Sequence, residues 1–192
     1  MVPQPIVNAA ALPAHARLHL GCGDRFIRGF LHVDARPLPH VDIVTPLDRL
    51  PMLPDESASL VYASHVLEHF PRYQTVAVLT EWRRILEPGG LLRLAVPDFE
   101  KLIQVYEMSS RNLDAVLGPL VGRQDHPYNF HYMAFDRRKL TTLLLEAGFR
   151  EVREWDWRAT EHADVDDFSQ AYYPHMEKTA GVLISLNLEA VK

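Results

Sequence analysis

A chain of 192 residues with 47% hydrophobic and 23% charged residues has the composition of a globular protein with one full core. Its net charge of −5 offers no general basic field to nucleic acid, and its single cysteine, Cys22, excludes an internal disulfide, argues against a structural zinc cluster and fits a reducing, cytoplasmic setting. No apolar run approaches the roughly 20 residues that span a bilayer.

Residues 1–16 are apolar but cut by three prolines and lack a basic start, which predicts a surface arm rather than a signal peptide. One domain is then expected over 17–192. "RLHLG" (17–21), "FLHVD" (30–34), "VDIV" (41–44) and "SLVYAS" (59–64) read as strands, with proline-rich loop chemistry between 45 and 57. In "QTVAVLTEWRRILEPGG", Val78, Leu79, Trp82, Ile85 and Leu86 fall at helical spacing, and Pro88-Gly89 suits the centre of a type II turn. "LLRLAVP" (91–97) is a fifth strand, followed by a helix over 98–108 with Asp98 as N-cap. The stretch 109–131 has no clear period. A helix over 136–149 opens at Asp136 and stops at Gly148; "REVREWDW" (150–157) and "GVLISLNLEAV" (181–191) close the chain as strands. Alternating strands and helices predict an α/β fold: a doubly wound, mostly parallel sheet of about seven strands, helices on both faces, and the last two strands antiparallel. Such sheets bind ligands beyond the carboxyl ends of their strands.

"LHLGCGDRF" (18–26) sits at such an end, and its glycine pair lets a ligand lie against bare main chain. The dinucleotide fingerprint fails because Phe26 stands where the third glycine belongs and Asp34 arrives early; the phosphate-loop pattern is absent. "LHLGCGD", "HVD", "LPMLPDESASLVYASHVLEHF" and "EWRRILEPGGLLRLAVPD", taken in order, resemble class I S-adenosylmethionine-dependent methyltransferases of the type 11-like kind. The resemblance runs from Arg17 to Phe149 and is most specific at "SHVLEHF" followed by "LEPGG". It is nearest to a branch of small methyltransferases often associated with surface-polysaccharide biosynthesis. It implies a Rossmann-like fold and an S-adenosylmethionine site formed by Leu20, Gly21, Cys22, Gly23 and Asp24, with Asp34 on the ribose diol, Leu47 and Asp48 beside the adenine, and Ser64 and His65 near the methionine portion. The sequence departs from the family at His19, where an acid is common, and at Arg25, where a third glycine is common.

Methyl transfer to a hydroxyl requires alignment and removal of a proton, by a general base or a metal. His65, Glu68 and His69 stand at i, i+3 and i+4 and would share one side of a helix. His131 lies in a second histidine-rich stretch, "QDHPYNFHYMAF". Small-RNA ribose methyltransferases and ubiquinone-pathway O-methyltransferases carry E-x-x-E-H at the first place and bind a divalent metal there. The chain resembles that pattern at Glu68 and His69, with His131 as the later ligand, and departs from it at His65. Candidate catalytic residues are therefore His65, His69, His131 and Asp98. A metal-free base is preferred to a Glu68–His69–His131 metal site, because L-E-H occurs widely without metal. The loop 160–178, with Tyr172, Tyr173 and His175, could close over the acceptor. The expectation is O-methylation of a small polar acceptor, a sugar or nucleotide-sugar; the alternatives are N-methylation of an amine and a non-catalytic cofactor-binding subunit.

Overall fold

In the computed structural model, residues 13–192 are described, so the arm expected over 1–16 falls almost wholly outside the described residues. Among the described residues the nine strands are β1 (Ala16–Leu20), β2 (Leu31–Asp34), β3 (Ile43–Val44), β4 (Ala58–Ser64), β5 (Leu86–Pro97), β6 (Arg150–Glu154), β7 (Tyr172–Tyr173), β8 (Val182–Leu183) and β9 (Ser185–Val191). The α-helices are α1 (Thr75–Ile85), α2 (Phe99–Met108), α3 (Asp114–Val121) and α4 (Arg137–Glu146). Seven strands form one sheet in the order β3-β2-β1-β4-β5-β9-β6, while β7 and β8 pair separately. The strands β3 to β5 run parallel in that order; β9 lies antiparallel to both β5 and β6.

The local signals explain most boundaries. Asp98 caps α2 by accepting from the backbone N–H groups of Glu100 and Lys101, and Asp136 caps α4 by accepting from Lys139. Gly89, expected in a type II turn after Pro88, has φ +80° but lies within the irregular start of β5, its N–H donating to the Lys192 carbonyl. The segment expected as one strand over 181–191 divides at Ile184, whose carbonyl leaves the ladder to accept from the Asp98 N–H. The helix α3 fills the stretch without a clear period, with Pro119 in its last turn.

The two faces of the seven-stranded sheet differ in chemistry. On one, Leu18, Leu20, Val61, Ala63, Leu92, Leu94, Leu188 and Ala190 pack under Val78, Leu79 and Trp82 of α1 and Leu140 and Leu144 of α4. Burying such side chains drives folding at about 25 cal/mol per Å². The opposite face presents His19, His32, Tyr62, Asn187 and Glu189, all buried. Trp155 and the 160–170 segment cover part of it, and His162 stacks on Tyr62 at 4.4 Å between ring centroids.

The register brings the functional ends to one edge. Leu20 pairs with Val33, Ser64 with Ala95, and Pro97 with Ser185, so Gly21, Asp34, His65, Asp98 and the start of β9 all emerge there.

Candidate active site

The glycine turn after β1 has the backbone its residues suggest. Gly21 and Gly23 have φ +62° and +53°, a region that side chains other than glycine disfavour. A Cβ at Gly21 would stand 2.5 Å from Val66 Cγ2, so packing as well as conformation demands glycine. Asp34, at the tip of β2, accepts from Gly23 N–H at 2.8 Å and Arg36 N–H at 2.8 Å, one bond to each carboxylate oxygen. Oδ2 keeps a second lone pair. The Arg36 guanidinium also approaches Asp34 Oδ1, at 3.4 Å.

Leu20 and Cys22 are buried, and burial first, then the nearby Asp34 charge, pushes the Cys22 thiol up to about 12. That makes Cys22 a packing residue with no thiolate chemistry. Asp24 and Arg25 are exposed beside the turn. Leu47 lies against the glycine turn, and its carbonyl accepts from Trp82 Nε1 at 2.8 Å. Asp48 is half-buried and lines an open depression against α1 with Thr80, Glu81 and Arg84. Ser64 ends β4 with its hydroxyl buried and unpartnered.

Beyond β4 the chain does not form the α-helix that would align His65, Glu68 and His69. It forms one 3-10 turn over Leu67–His69, and His65 stays outside it at φ +53°. The residues meet nonetheless. His65 Nδ1 is 3.3 Å from Glu68 Oε1. The ligating atoms of Glu68, His69 and His131 lie within 4.8 Å of one another, and the His69 and His131 ring centroids are 4.8 Å apart. His69 Nδ1–H donates to the Phe130 carbonyl at 3.1 Å and His131 Nδ1–H to the Pro119 carbonyl at 2.9 Å. A carbonyl only accepts, so each neutral ring carries its proton on Nδ1 and its lone pair on Nε2. Glu68 is fully buried, neither of its carboxyl oxygens has a hydrogen-bond partner, and burial pushes it up to about 8. Burial likewise lowers His65 to about 3, His131 to about 4, and His69 below its ordinary value. The result is a cluster of half-buried neutral rings around a fully buried, unsatisfied carboxyl.

Asp98 stands at the tip of β5, but its Oδ1 is occupied by the α2 cap. Burial holds its carboxyl above the usual range. In the 160–178 loop, Tyr172 is buried in the β7–β8 pair with its hydroxyl accepting from Arg158, while His175 is exposed. Several residues that reach the site carried no motif. Ser185 Oγ is 3.2 Å from His65 Nε2, and Asn187, Ser169 and Asp167 stand behind it. One signal for them existed: Ser185, Asn187 and Glu189 alternate with leucines in an otherwise apolar strand.

Comparison with known proteins agrees with this architecture. A family described as a methyltransferase domain matches residues 29–94. No curated protein sequence matches. Solved structures of S-adenosylmethionine-dependent methyltransferases share the fold at low identity. One from Thermotoga maritima, described as a possible histamine N-methyltransferase, is 18% identical with TM-score 0.58, covering 95% of this chain and 84% of its own. One from Mesorhizobium loti is 15% identical with TM-score 0.54, covering 94% and 92% respectively. The Burkholderia thailandensis 1,6-didemethyltoxoflavin-N1-methyltransferase, solved with S-adenosylhomocysteine, is 15% identical with TM-score 0.58, covering 96% and 76%.

Proposed function

We propose that this chain is an S-adenosylmethionine-dependent methyltransferase, a reading its domain match and fold support, that it methylates a hydroxyl of a small polar acceptor of the sugar class, and that Glu68, His69 and His131 hold a divalent cation that prepares that hydroxyl. The observation that carries the reading is the convergence of those three side chains within 4.8 Å beside the strand ends. The sugar class rests on the likeness of the motif set to methyltransferases associated with surface polysaccharides.

S-adenosylmethionine supplies an electrophilic methyl group on a sulfonium. The residues at the β1, β2 and β4 ends fit its binding. The free lone pair of Asp34 Oδ2 suits a ribose hydroxyl donor, Gly21 and Gly23 leave bare backbone beside it, and the unpartnered Ser64 hydroxyl is available to a polar group. Leu47 offers an apolar wall. Such binding aligns methyl and acceptor, which accounts for much of the rate in a displacement at carbon.

A hydroxyl must also lose its proton, and the acidic-histidine cluster is built for that demand. Glu68 favours a cation over a bare histidine base. A buried carboxyl without a partner is costly, and a cation would take up its lone pairs together with the Nε2 lone pairs of His69 and His131. The Phe130 and Pro119 carbonyls then act as the outer partners that orient ligating imidazoles. A carboxylate with two imidazoles suits zinc, iron or manganese. A cation there would supply charge that stabilises the oxyanion of the acceptor, and the acceptor proton would leave to solvent, since the cation would hold the lone pairs of Glu68, His69 and His131.

The test is turnover of methyl-labelled S-adenosylmethionine against sugar and amine acceptors, with chelator and with cation restored. The expected result is an O-methyl product, lost with chelator and regained with cation, and loss of bound metal in both His69→Ala and His131→Ala. Turnover indifferent to chelator would leave a histidine base in place of the cation. An N-methyl product alone would overturn the hydroxyl reading.

A further inference from the structure

His65 is held by more than its neighbours at the β4 end. Its Nε2 meets Ser185 Oγ at 3.2 Å, and Ser185 Oγ–H donates to Asn187 Oδ1 at 2.9 Å. Asn187 Nδ2 donates to the Ser169 carbonyl at 3.0 Å. Ser169 in turn donates to Asp167 Oδ1 twice, from its N–H at 2.8 Å and its hydroxyl at 2.5 Å. Tyr62 Oη–H donates to the other oxygen, Asp167 Oδ2. Tyr62 lies on β4, three residues before His65, so the bonds make a closed circuit from β4 through the 167–170 turn and β9 back to the end of β4. Tyr62, Asp167, Ser169, Asn187 and Ser185 are all buried.

The direction of each bond is decided by chemistry. The Ser169 carbonyl can only accept, so the Asn187 amide must face it with nitrogen, which turns Oδ1 to Ser185. Oδ1 can only accept, so the single Ser185 proton points there. Ser185 then has nothing but lone pairs to offer His65, and the ring nitrogen facing it must be the protonated one. We propose that Ser185 and Asn187, anchored by the 167–170 turn, are positioning residues that hold His65 with its proton on Nε2 and its Nδ1 unprotonated on the Glu68 side, where it accepts from the Glu68 carboxyl while that carboxyl is protonated and holds no cation. The inference deepens the proposed function, in which the β4 end meets the cofactor beside the Glu68–His69–His131 cluster, and depends on that reading only for its effect on rate.

The arrangement has a second use. His65 stands at φ +53°, a conformation that non-glycine residues disfavour. Its N–H donates to the Ala95 carbonyl at 2.8 Å, and the Phe168 ring lies against its own at 5.4 Å between centroids. The 167–170 turn thus supplies both the polar chain behind His65 and an aromatic wall beside it. A shift of this turn would move the ring, since a bond and a packing contact both lead back to it.

Nitrogen-15 NMR of histidine-labelled protein reads the tautomer directly, with no acceptor needed. The His65 signal, assigned by comparison with His65→Gln, is expected to show the proton on Nε2 in the wild type. A proton on Nδ1 overturns the proposal, whatever any variant does. In Ser185→Ala the tautomer preference is expected to shift or average. With an acceptor from the sugar panel, kcat should fall on the order of tenfold or more while S-adenosylmethionine KM stays within about twofold. Ser185→Thr, which keeps the hydroxyl, should restore the wild-type tautomer and most of kcat. Unchanged kcat and tautomer in Ser185→Ala would also overturn it. Failure of the functional reading is distinct: the wild type would show the Nε2 tautomer and its dependence on Ser185 yet bind no S-adenosylhomocysteine.

Discussion

The two faces of the central sheet are held together by different rules. Under α1 and α4 the contacts are leucine, valine, isoleucine and tryptophan, and any packing that fills the space in relaxed rotamers will serve. On the other face Tyr62 lies between His19 and His162, with ring centroids at 5.2 and 4.4 Å, and bonds to Asp167. There each side chain needs a particular partner in a particular direction, and leaving one unpaired is costly. The first face resists change by volume and the second by direction. The second is connected, through Asn187 and Ser185, to His65.

The comparison breaks first at Trp82, fully buried on the apolar face. Trp82→Ala should cost about 3–5 kcal/mol in urea unfolding, because it opens a cavity and strands the Leu47 carbonyl. A loss below 1 kcal/mol would mean that the face is not the close-packed one described. At the strand ends, where the two faces meet, Asp34→Ala should weaken S-adenosylhomocysteine by about 1.5–3 kcal/mol in calorimetric titration. Equal affinity in the variant would remove Asp34 from the cofactor site.

On the polar face, Tyr62→Phe keeps nearly all the volume and removes one donor to Asp167. The expected cost is about 1–3 kcal/mol, against almost nothing for a conservative swap on the apolar face. The same face should make stability depend on acid. Burial first, then His32, His162 and His40, lowers His19 from 6.5 to about 3, and His162 is lowered too. The unfolded chain therefore takes up protons below pH 6.5 that the folded chain refuses, so stability falls as pH falls toward 3. His19 alone contributes a slope of about 1.4 kcal/mol per pH unit. Unfolding measured at pH 6 and pH 5 should show that slope reduced in His19→Phe and unchanged in Trp82→Ala. The smallest effect belongs to Asp48, which faces neither side of the sheet. Asp48→Ala should change stability by less than about 0.5 kcal/mol, and a marked loss of cofactor affinity would instead seat it beside the adenine.

What could be read in advance was local. The glycine pair needs φ above zero, Asp34 ends a short strand two residues before Arg36, and Asp98 and Asp136 open helices as N-caps. Each of these is set by neighbours within a few positions. The spacing of His65, Glu68 and His69 was visible too, though the geometry that joins them was not: a 3-10 turn with His65 left outside replaces the expected helix. The helix α3 escaped notice because Gly118 and Pro119 mask its period.

The amino-acid sequence by itself determined the alternation of strands and helices, hence a mostly parallel sheet, and the position of a glycine turn and an acid at adjacent strand ends. Periodicity and capping suffice for that, since both act over single turns of chain. The likeness to metal-binding methyltransferases marked His131 as a partner for Glu68 and His69, but only the tertiary structure decided how it reaches them from more than sixty residues away, and that Ser185 and Asn187 stand behind His65. Those meetings depend on strand order and on β9 running antiparallel beside β5. A hydrogen bond between distant residues leaves no local period, because its geometry is set by how the sheet is assembled rather than by the chain on either side of each partner.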